Sequence, residues 1–317
     1  MCTRTLARPL SAIALAVLSL LAADSARASR GPRDGRLALD QVCVPIGCFP
    51  GDGPGWPIQI TQPGAYVLTS NLDVTGQPNP ANVTAVVVTA PSVDLDLGGF
   101  ALRGPLSCSG SPLTCTPSSG MGVGVHASSS AVALRLHDGT ITGFGLYGAL
   151  ANGDVAVVER VRFGHLGSTA VVVQGVGARL SRLLVTTSGG TAVGVLGTAG
   201  ALAESSIGNV AGAGIFVGRG ARLQTGVVQA NTTDLAGVTT GEGSRIAGLV
   251  AHGGSSGIYA GTGSAVLQNR IGYGRDFLLL CDPKVGYTGI VMDSGQQPEV
   301  GGSGLSLNQN QCANGPC

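Results

Sequence analysis

The chain has 317 residues with 18 basic and 17 acidic side chains, a formal net charge of +1. This balance excludes the basic footprint that nucleic-acid-binding proteins need, so no nucleic-acid partner is predicted. Glycine supplies 53 residues and aromatic side chains only 4%, and no long stretch shows helical periodicity. Short β-branched runs between Gly, Ser and Thr instead favour many short strands.

Residues 1–28 are predicted to be a signal peptide. A basic start precedes an apolar run at residues 10–23, and the Ala-Arg-Ala of residues 26–28 has the small residues of a cleavage site. The run is short for a bilayer span. We therefore predict cleavage before Ser29 and a secreted or periplasmic chain without a membrane span; an uncleaved anchor is the alternative.

The region after the leader divides into two irregular ends and a repetitive middle. Residues 29–60 and 296–317 are rich in Pro or Gly, contain a cysteine pair each and break the repeat. Residues 61–295 carry it. Because a stack of strands must protect its end edges from pairing, the two ends are interpreted as an N-terminal and a C-terminal cap.

The repeat is an apolar strand pattern that returns about every 22 residues. After a first gap of 39, the spacings between its last apolar members are 22, 22, 22, 21, 23, 20 and 21 residues. Such a period predicts an all-β fold, a right-handed parallel β-helix of about nine or more coils with capped ends. A second repeated pattern, a small residue followed by alternating apolar positions, predicts one inward stack of Val171, Val193, Ile215 and Ile258.

Two stretches near the start of the repeat, "ITQPGAYVLTSNLDV" and "AVVVTAPSVDLDLGGFALRG", and the later "VLQNRI" and "GYTGIVM", resemble secreted right-handed parallel β-helix proteins. These share the fold of pectate lyases and polygalacturonases, and many have no assigned activity. The resemblance covers most of residues 58–317 and implies the fold. It is weak for function, because the clustered calcium carboxylates, Asp-Asp pair, Gly-His-Gly and Arg-x-Lys of the active members are missing.

Asp94 and Asp96 alternate with apolar residues, so both are predicted to point outward from a strand. The repeat places Asp96 at the head of a surface column that continues as Arg135, Arg179, Arg222 and Arg245, with Val157 and Ala201 between them and Ala265 after them. A solvated strand face is the first interpretation of the two carboxylates. No cofactor is predicted; calcium is the weaker alternative, because it needs six or more oxygen ligands.

The arginine column is the candidate ligand site. Arg135, Arg179, Arg222 and Arg245 are predicted to project from one sheet face, where guanidinium forks suit the carboxylates of an acidic polysaccharide. Ordinary solubilising charge is the alternative. A second column three residues further along is predicted to be a ladder that balances its own charge. Its members are Asp138, Arg160, Arg182, Glu204, Thr225, Gly248 and Gln268.

The cysteines mostly fall into close pairs, whereas the histidines are scattered. In an oxidising compartment, three close cysteine pairs are predicted to be disulfides, with Cys281 left as a buried thiol. The pairs are Cys43–Cys48, Cys108–Cys115 and Cys312–Cys317. The histidines fall in different columns, and His137 should face away from its neighbour Asp138. Neither a metal site nor a catalytic residue is predicted.

These features favour a non-catalytic extracellular or surface binding module, with polysaccharide as the ligand class that the resemblance implies. A divergent polysaccharide lyase or glycoside hydrolase is the alternative. A structural or adhesive rod with protein partners is the second alternative.

Overall fold

The computed structural model describes residues 35–110, 113–118, 120–230, 237–252 and 256–271 and the strand segments 288–292, 311–312 and 315–316. Side chains are described within these ranges except at residues 229–230, 252, 256–257 and from 270 onward. In the described part, the only helices are two 3-10 turns, Val44–Ile46 and Pro80–Asn82, and no helix there is long and apolar enough to cross a membrane.

The strands form two parallel walls and one small hairpin. We call the walls sheet A and sheet B. Sheet A contains β1 (Leu37–Leu39), β3 (Gly64–Leu68), β4 (Leu72–Asp73), β6 (Val93–Asp96), β7 (Ala101–Arg103), β11 (Arg135–Thr142), β13 (Val157–Gly164), β15 (Arg179–Ser181), β16 (Leu184–Val185), β18 (Ala201–Val210), β20 (Arg222–Ala230), β22 (Arg245–His252), β24 (Ala265–Leu267), β25 (Arg270–Ile271), β27 (Gln311–Cys312) and β28 (Gly315–Pro316).

Sheet B contains β2 (Ile58–Ile60), β5 (Val86–Val88), β10 (Val123–Ala127), β12 (Tyr147–Ala151), β14 (Thr169–Val173), β17 (Val193–Val195), β19 (Ile215–Val217), β21 (Val238–Thr240), β23 (Ser256–Ala260) and β26 (Thr288–Met292). The hairpin is β8 (Ser107–Ser109) with β9 (Thr114–Thr116). The chain alternates between the two walls, and every pairing within them is parallel apart from β27 with β28. The all-β parallel solenoid predicted from the repeat is thus confirmed; its winding hand, its number of coils and its caps stay predictions.

The core lies between the two walls. Val171, Val193, Ile215 and Ile258 are at most 2% exposed, and their strands pair in register through Val238. The predicted inward stack is therefore confirmed. The two walls approach each other closely at Gly148 of β12. A Cβ at this position would lie 2.6 Å from Phe163 Cδ1 on sheet A, so a larger residue does not fit there.

Left-handed residues flank the straight segment that carries the arginine column, and the second of them lies inside the longer strands such as β11 and β13. Two positions before that column, Ala133, Val155 and their equivalents have φ between 51° and 72°; three positions after it, Asp138, Arg160 and their equivalents have φ between 44° and 68°. The left-handed region turns the chain sharply and is uncommon for residues other than glycine. Each coil therefore presents the arginine position on a short straight segment between two corners.

The predicted register of Asp96 is wrong. Arg135 pairs with Asp94, and Asp96 pairs with His137. The cause is the turn at Gly98 and Gly99, both with positive φ, which adds two residues between β6 and β7 relative to the equivalent segment of β11. Consequently Leu95 faces inward with Leu97, while Phe100 is only half-buried.

Candidate functional site

The outer face of sheet A carries most of the charged side chains that the sequence singled out. The strand registers place Arg135, Arg179, Arg222 and Arg245 in one column, separated by Val157 and Ala201 and followed by Ala265. The column of four arginines is therefore present, headed by Asp94 instead of Asp96. Its early part and its late part differ in what surrounds each guanidinium.

The early part, which we call the paired half, begins with Arg135. Its Nε donates to Glu159 Oε1 at 3.0 Å, a second nitrogen makes a shorter contact with the same oxygen, and Nη1 lies 3.8 Å from Asp94 Oδ1. The hydrogen bond with Arg135 lowers the pKa of Glu159, and the same bond raises the pKa of Arg135. The positive charge of Arg135 is thus paired with carboxylates of the protein itself.

His137 lies at the centre of the paired half and is 7% exposed. Its Nε2 is 2.8 Å from Asp94 Oδ1, and its Nδ1 is 2.6 Å from Asp138 Oδ2. Both ring nitrogens therefore contact a carboxylate oxygen of the protein. The expectation that His137 and Asp138 face opposite sides is wrong, because Asp138 occupies a left-handed corner with φ 59° and turns back toward the ring.

Arg160 closes the paired half. Its Nε and one terminal nitrogen hold the two oxygens of Asp138 at 2.5 and 2.9 Å, and its Nη1 donates to Glu159 at 2.9 Å. The bonds from Arg160 hold the pKa of Asp138 well below its usual range, and the Asp138 carboxylate raises the pKa of Arg160. Further along, Arg182 Nε donates to Glu204 at 2.9 Å. The predicted charge-balancing ladder is therefore present, with its charges paired between coils.

The paired half also contains the group that comes nearest to a metal site. Ligand atoms of Asp96, His137 and Asp138 lie within 4.8 Å of one another. Each is already bonded: Asp96 to Arg36 at 2.5 Å, and Asp138 to Arg160 and His137. A cation would have to displace these partners. Sequence reasoning missed the group, because the left-handed corner and the shifted register bring it together; calcium at Asp94 and Asp96 stays the weaker alternative to a solvated strand face.

The late part, which we call the open half, consists of Arg179, Arg222 and Arg245. All three are exposed, and none forms an ion pair with any carboxylate in the part of the chain that the structure describes. Arg222 and Arg245 are register partners on adjacent coils. They line a depression of about 530 Å³, together with Gly220, Ala221, Leu223, Gln224, Gly243, Ala247 and Gln268.

His126 and His165 do not join either half. His126 is half-buried in sheet B, between Val87 and Leu150 of neighbouring coils. His165 Nδ1 accepts the Cys108 backbone N–H at 3.0 Å, so that ring supports the hairpin. The side chain of His252 lies outside the described residues.

Two of the predicted disulfides are present, Cys43–Cys48 and Cys108–Cys115. The first lies beside Val44 and Phe49, both buried, with the Phe49 ring edge-on to Tyr66 at 5.1 Å. Cys281, Cys317 and the side chain of Cys312 fall outside the described residues, so the third pair stays a prediction.

Comparisons with known proteins add little to this geometry. No protein-family model matches the chain, and no curated protein matches it. Among solved structures, the A-module of the Azotobacter vinelandii mannuronan C-5 epimerase AlgE6 matches at 14% identity and a TM-score of 0.32, covering 86% of this chain and 93% of that one. A likeness of this size carries no argument about function, which has to come from the site itself.

Proposed function

We propose that the chain is a secreted, non-catalytic binding module for acidic polysaccharide, and that the ligand lies on the open half of sheet A. The observation that carries the proposal is the pair Arg222 and Arg245. They sit directly opposite each other on neighbouring strands, beside a depression, with no carboxylate partner among the described residues. Like charges in this arrangement destabilise a sheet, and a bound anion offsets that cost.

The chemistry of the side chain supports a carboxylate or sulfate ligand. Guanidinium presents a planar fork that binds such groups through two hydrogen bonds. A polymer along the face would meet Arg179 as well. Arg135, predicted as a fourth contact, is removed from the proposed site because Glu159 and Asp94 already bind it.

The paired half does not favour the catalytic alternative. An acid–base residue must reach the substrate proton, whereas the His137 ring is 7% exposed and both of its nitrogens contact carboxylates. No residue is therefore assigned a catalytic role. No cofactor forms part of the proposal.

Secretion is proposed from two observations. The sequence of residues 1–28 has the pattern of a signal peptide, and disulfides such as Cys43–Cys48 and Cys108–Cys115 persist in oxidising compartments. The division into a leader, an N-terminal cap segment at 29–60, a β-helix at 61–295 and a C-terminal cap at 296–317 is part of the same proposal.

Binding of polygalacturonate and, as the sulfated polymer, of heparin tests the function. Both are measured by calorimetry at low and at physiological salt. We expect Arg222→Ala to weaken binding about 10-fold or more, the effect of losing one charge-assisted bidentate contact. Arg182→Ala is the matched control, since it removes the same charge from an arginine that Glu204 already binds. Equal loss in both variants, or no binding of polygalacturonate and heparin by the unmodified protein, rejects the proposal.

A further inference from the structure

We infer that the open half contains two subsites of different rank: a primary one at Arg222 and Arg245 that takes a single anionic sugar, and a second one at Arg179 that takes the next anionic group along the chain. This inference rests on the proposed function and adds the direction, spacing and minimum length of the ligand.

The primary subsite is a depression with cationic walls. Arg222 and Arg245 lie on adjacent strands, about 4.8 Å apart along the rod, so both forks can reach the same carboxylate. Gly243 and Ala247 line the depression without filling it, and Gln224 adds an amide that suits a sugar hydroxyl. Its volume of about 530 Å³ lies within the range of sites for small molecules, roughly 300–1,000 Å³.

The second subsite is set by the register. Arg222 pairs with Ala201, and Ala201 pairs with Arg179, so two strand spacings, about 10 Å, separate the two guanidinium positions along the rod. This separation is of the order of one disaccharide in an extended chain. The short side chain of Ala201 leaves the path between the subsites open.

The arrangement also fixes the direction of the ligand. Two residues along the strands from the open arginines, the outward positions are Ser181, Ala203, Gln224 and Ala247, none of them charged. In this direction a chain lying along a strand would leave the primary subsite and meet no further cation, and in the opposite direction Arg219 is already paired with Glu242. A chain lying along the rod axis meets Arg179. The ligand class is therefore a glycan that presents an anionic group to the protein about once per disaccharide.

A length series separates the two subsites. Galacturonate oligomers of one to six units, and heparin-derived oligosaccharides of matching length as the sulfated series, are titrated by NMR into the unmodified protein, Arg222→Ala, Arg179→Ala and the control Arg182→Ala. In the series that binds, the shortest ligand should be weakened about 10-fold by Arg222→Ala and less than twofold by Arg179→Ala. Longer ligands should bind the unmodified protein at least 10-fold more tightly than the shortest, and Arg179→Ala should abolish that gain.

The outcomes distinguish this inference from the function on which it rests. A length gain that survives in Arg179→Ala, or short-ligand binding that Arg179→Ala weakens as much as Arg222→Ala, overturns the two-subsite arrangement while acidic-polymer binding stands. Failure of both oligomer series and of both polymers overturns the function and the inference together. Melting curves that match the unmodified protein show that each variant is folded.

Discussion

The paired and open halves of sheet A place the same residue type at the same register position, yet the electrostatic role of that residue differs. Arg135 is bound by Glu159, which lies two residues further along the next strand. For Arg222, the equivalent residue of the next strand is Ala247, and no carboxylate takes its place. A repeat fixes where a side chain projects; its neighbours in the adjacent column decide whether its charge is available to a ligand.

The comparison depends first on the strand register, and a buried charge tests it with the largest expected effect. Val193 is fully buried between Val171 and Ile215. Val193→Asp should destabilise the fold by more than about 4 kcal/mol, because an unpaired carboxylate would enter the apolar core. Phe216→Asp, at an exposed position of β19, is the control and should cost much less. Urea unfolding of both variants measures the difference, and equal midpoints contradict the register.

Asp138→Asn tests whether the paired half is held together by charge. Asparagine tolerates the left-handed corner as aspartate does, so the change removes mainly the attraction to Arg160 and His137. We expect a loss of about 1 kcal/mol in the free energy of unfolding, the upper range for a partly exposed ion pair. Glu204→Gln, in the more exposed pair with Arg182, should change it by less than about 0.5 kcal/mol. A larger effect at Glu204 would reverse the ranking.

Acid should weaken the paired half before it affects the open half. The pKa of Asp138 is lowered mainly by Arg160, and that of Glu159 mainly by Arg135. A lowered pKa stabilises the fold above the pKa of the unfolded chain, about 4, and this stabilisation is lost as pH falls through the folded-state value. The melting temperature should therefore decline below about pH 4, with a shallower decline in Asp138→Asn. Parallel curves for the two proteins would show that Asp138 makes no such contribution.

The smallest expected effect has opposite signs in the two halves. Without ligand, Arg222→Gln should stabilise the protein by a few tenths of a kcal/mol, because it removes repulsion from Arg245. Arg135→Gln should destabilise it by about 0.5 kcal/mol, because Glu159 loses one of its two arginine partners and keeps Arg160. High salt should shrink both differences. Melting at low and at high salt measures them, and effects of the same sign in both variants would remove the distinction between the halves.

The sequence period was sufficient to predict the parallel solenoid, the inward stack and the positions of the arginines, because apolar spacing reports directly on stacking. It was insufficient for the His137 cluster, since strand alternation does not hold across a left-handed corner such as Asp138. A weak signal exists: Gly248, at the position equivalent to Asp138, is the residue type that a positive φ favours. Whether a column arginine is bound by a carboxylate, as Arg135 is by Glu159, or can bind a ligand, as proposed for Arg222, depends on contacts between coils. No single repeat contains those contacts.

The hairpin of β8 and β9 shows that the rod tolerates local growth. The first gap exceeds the usual period by 39 − 22 = 17 residues, yet β10 still pairs in parallel with β5 before it and β12 after it. The inserted segment leaves at a corner, buries Leu106 and is closed by a disulfide. An insertion at such a corner lengthens the chain without changing the order in which the strands stack. New surface can therefore be added to this architecture without rebuilding its interior.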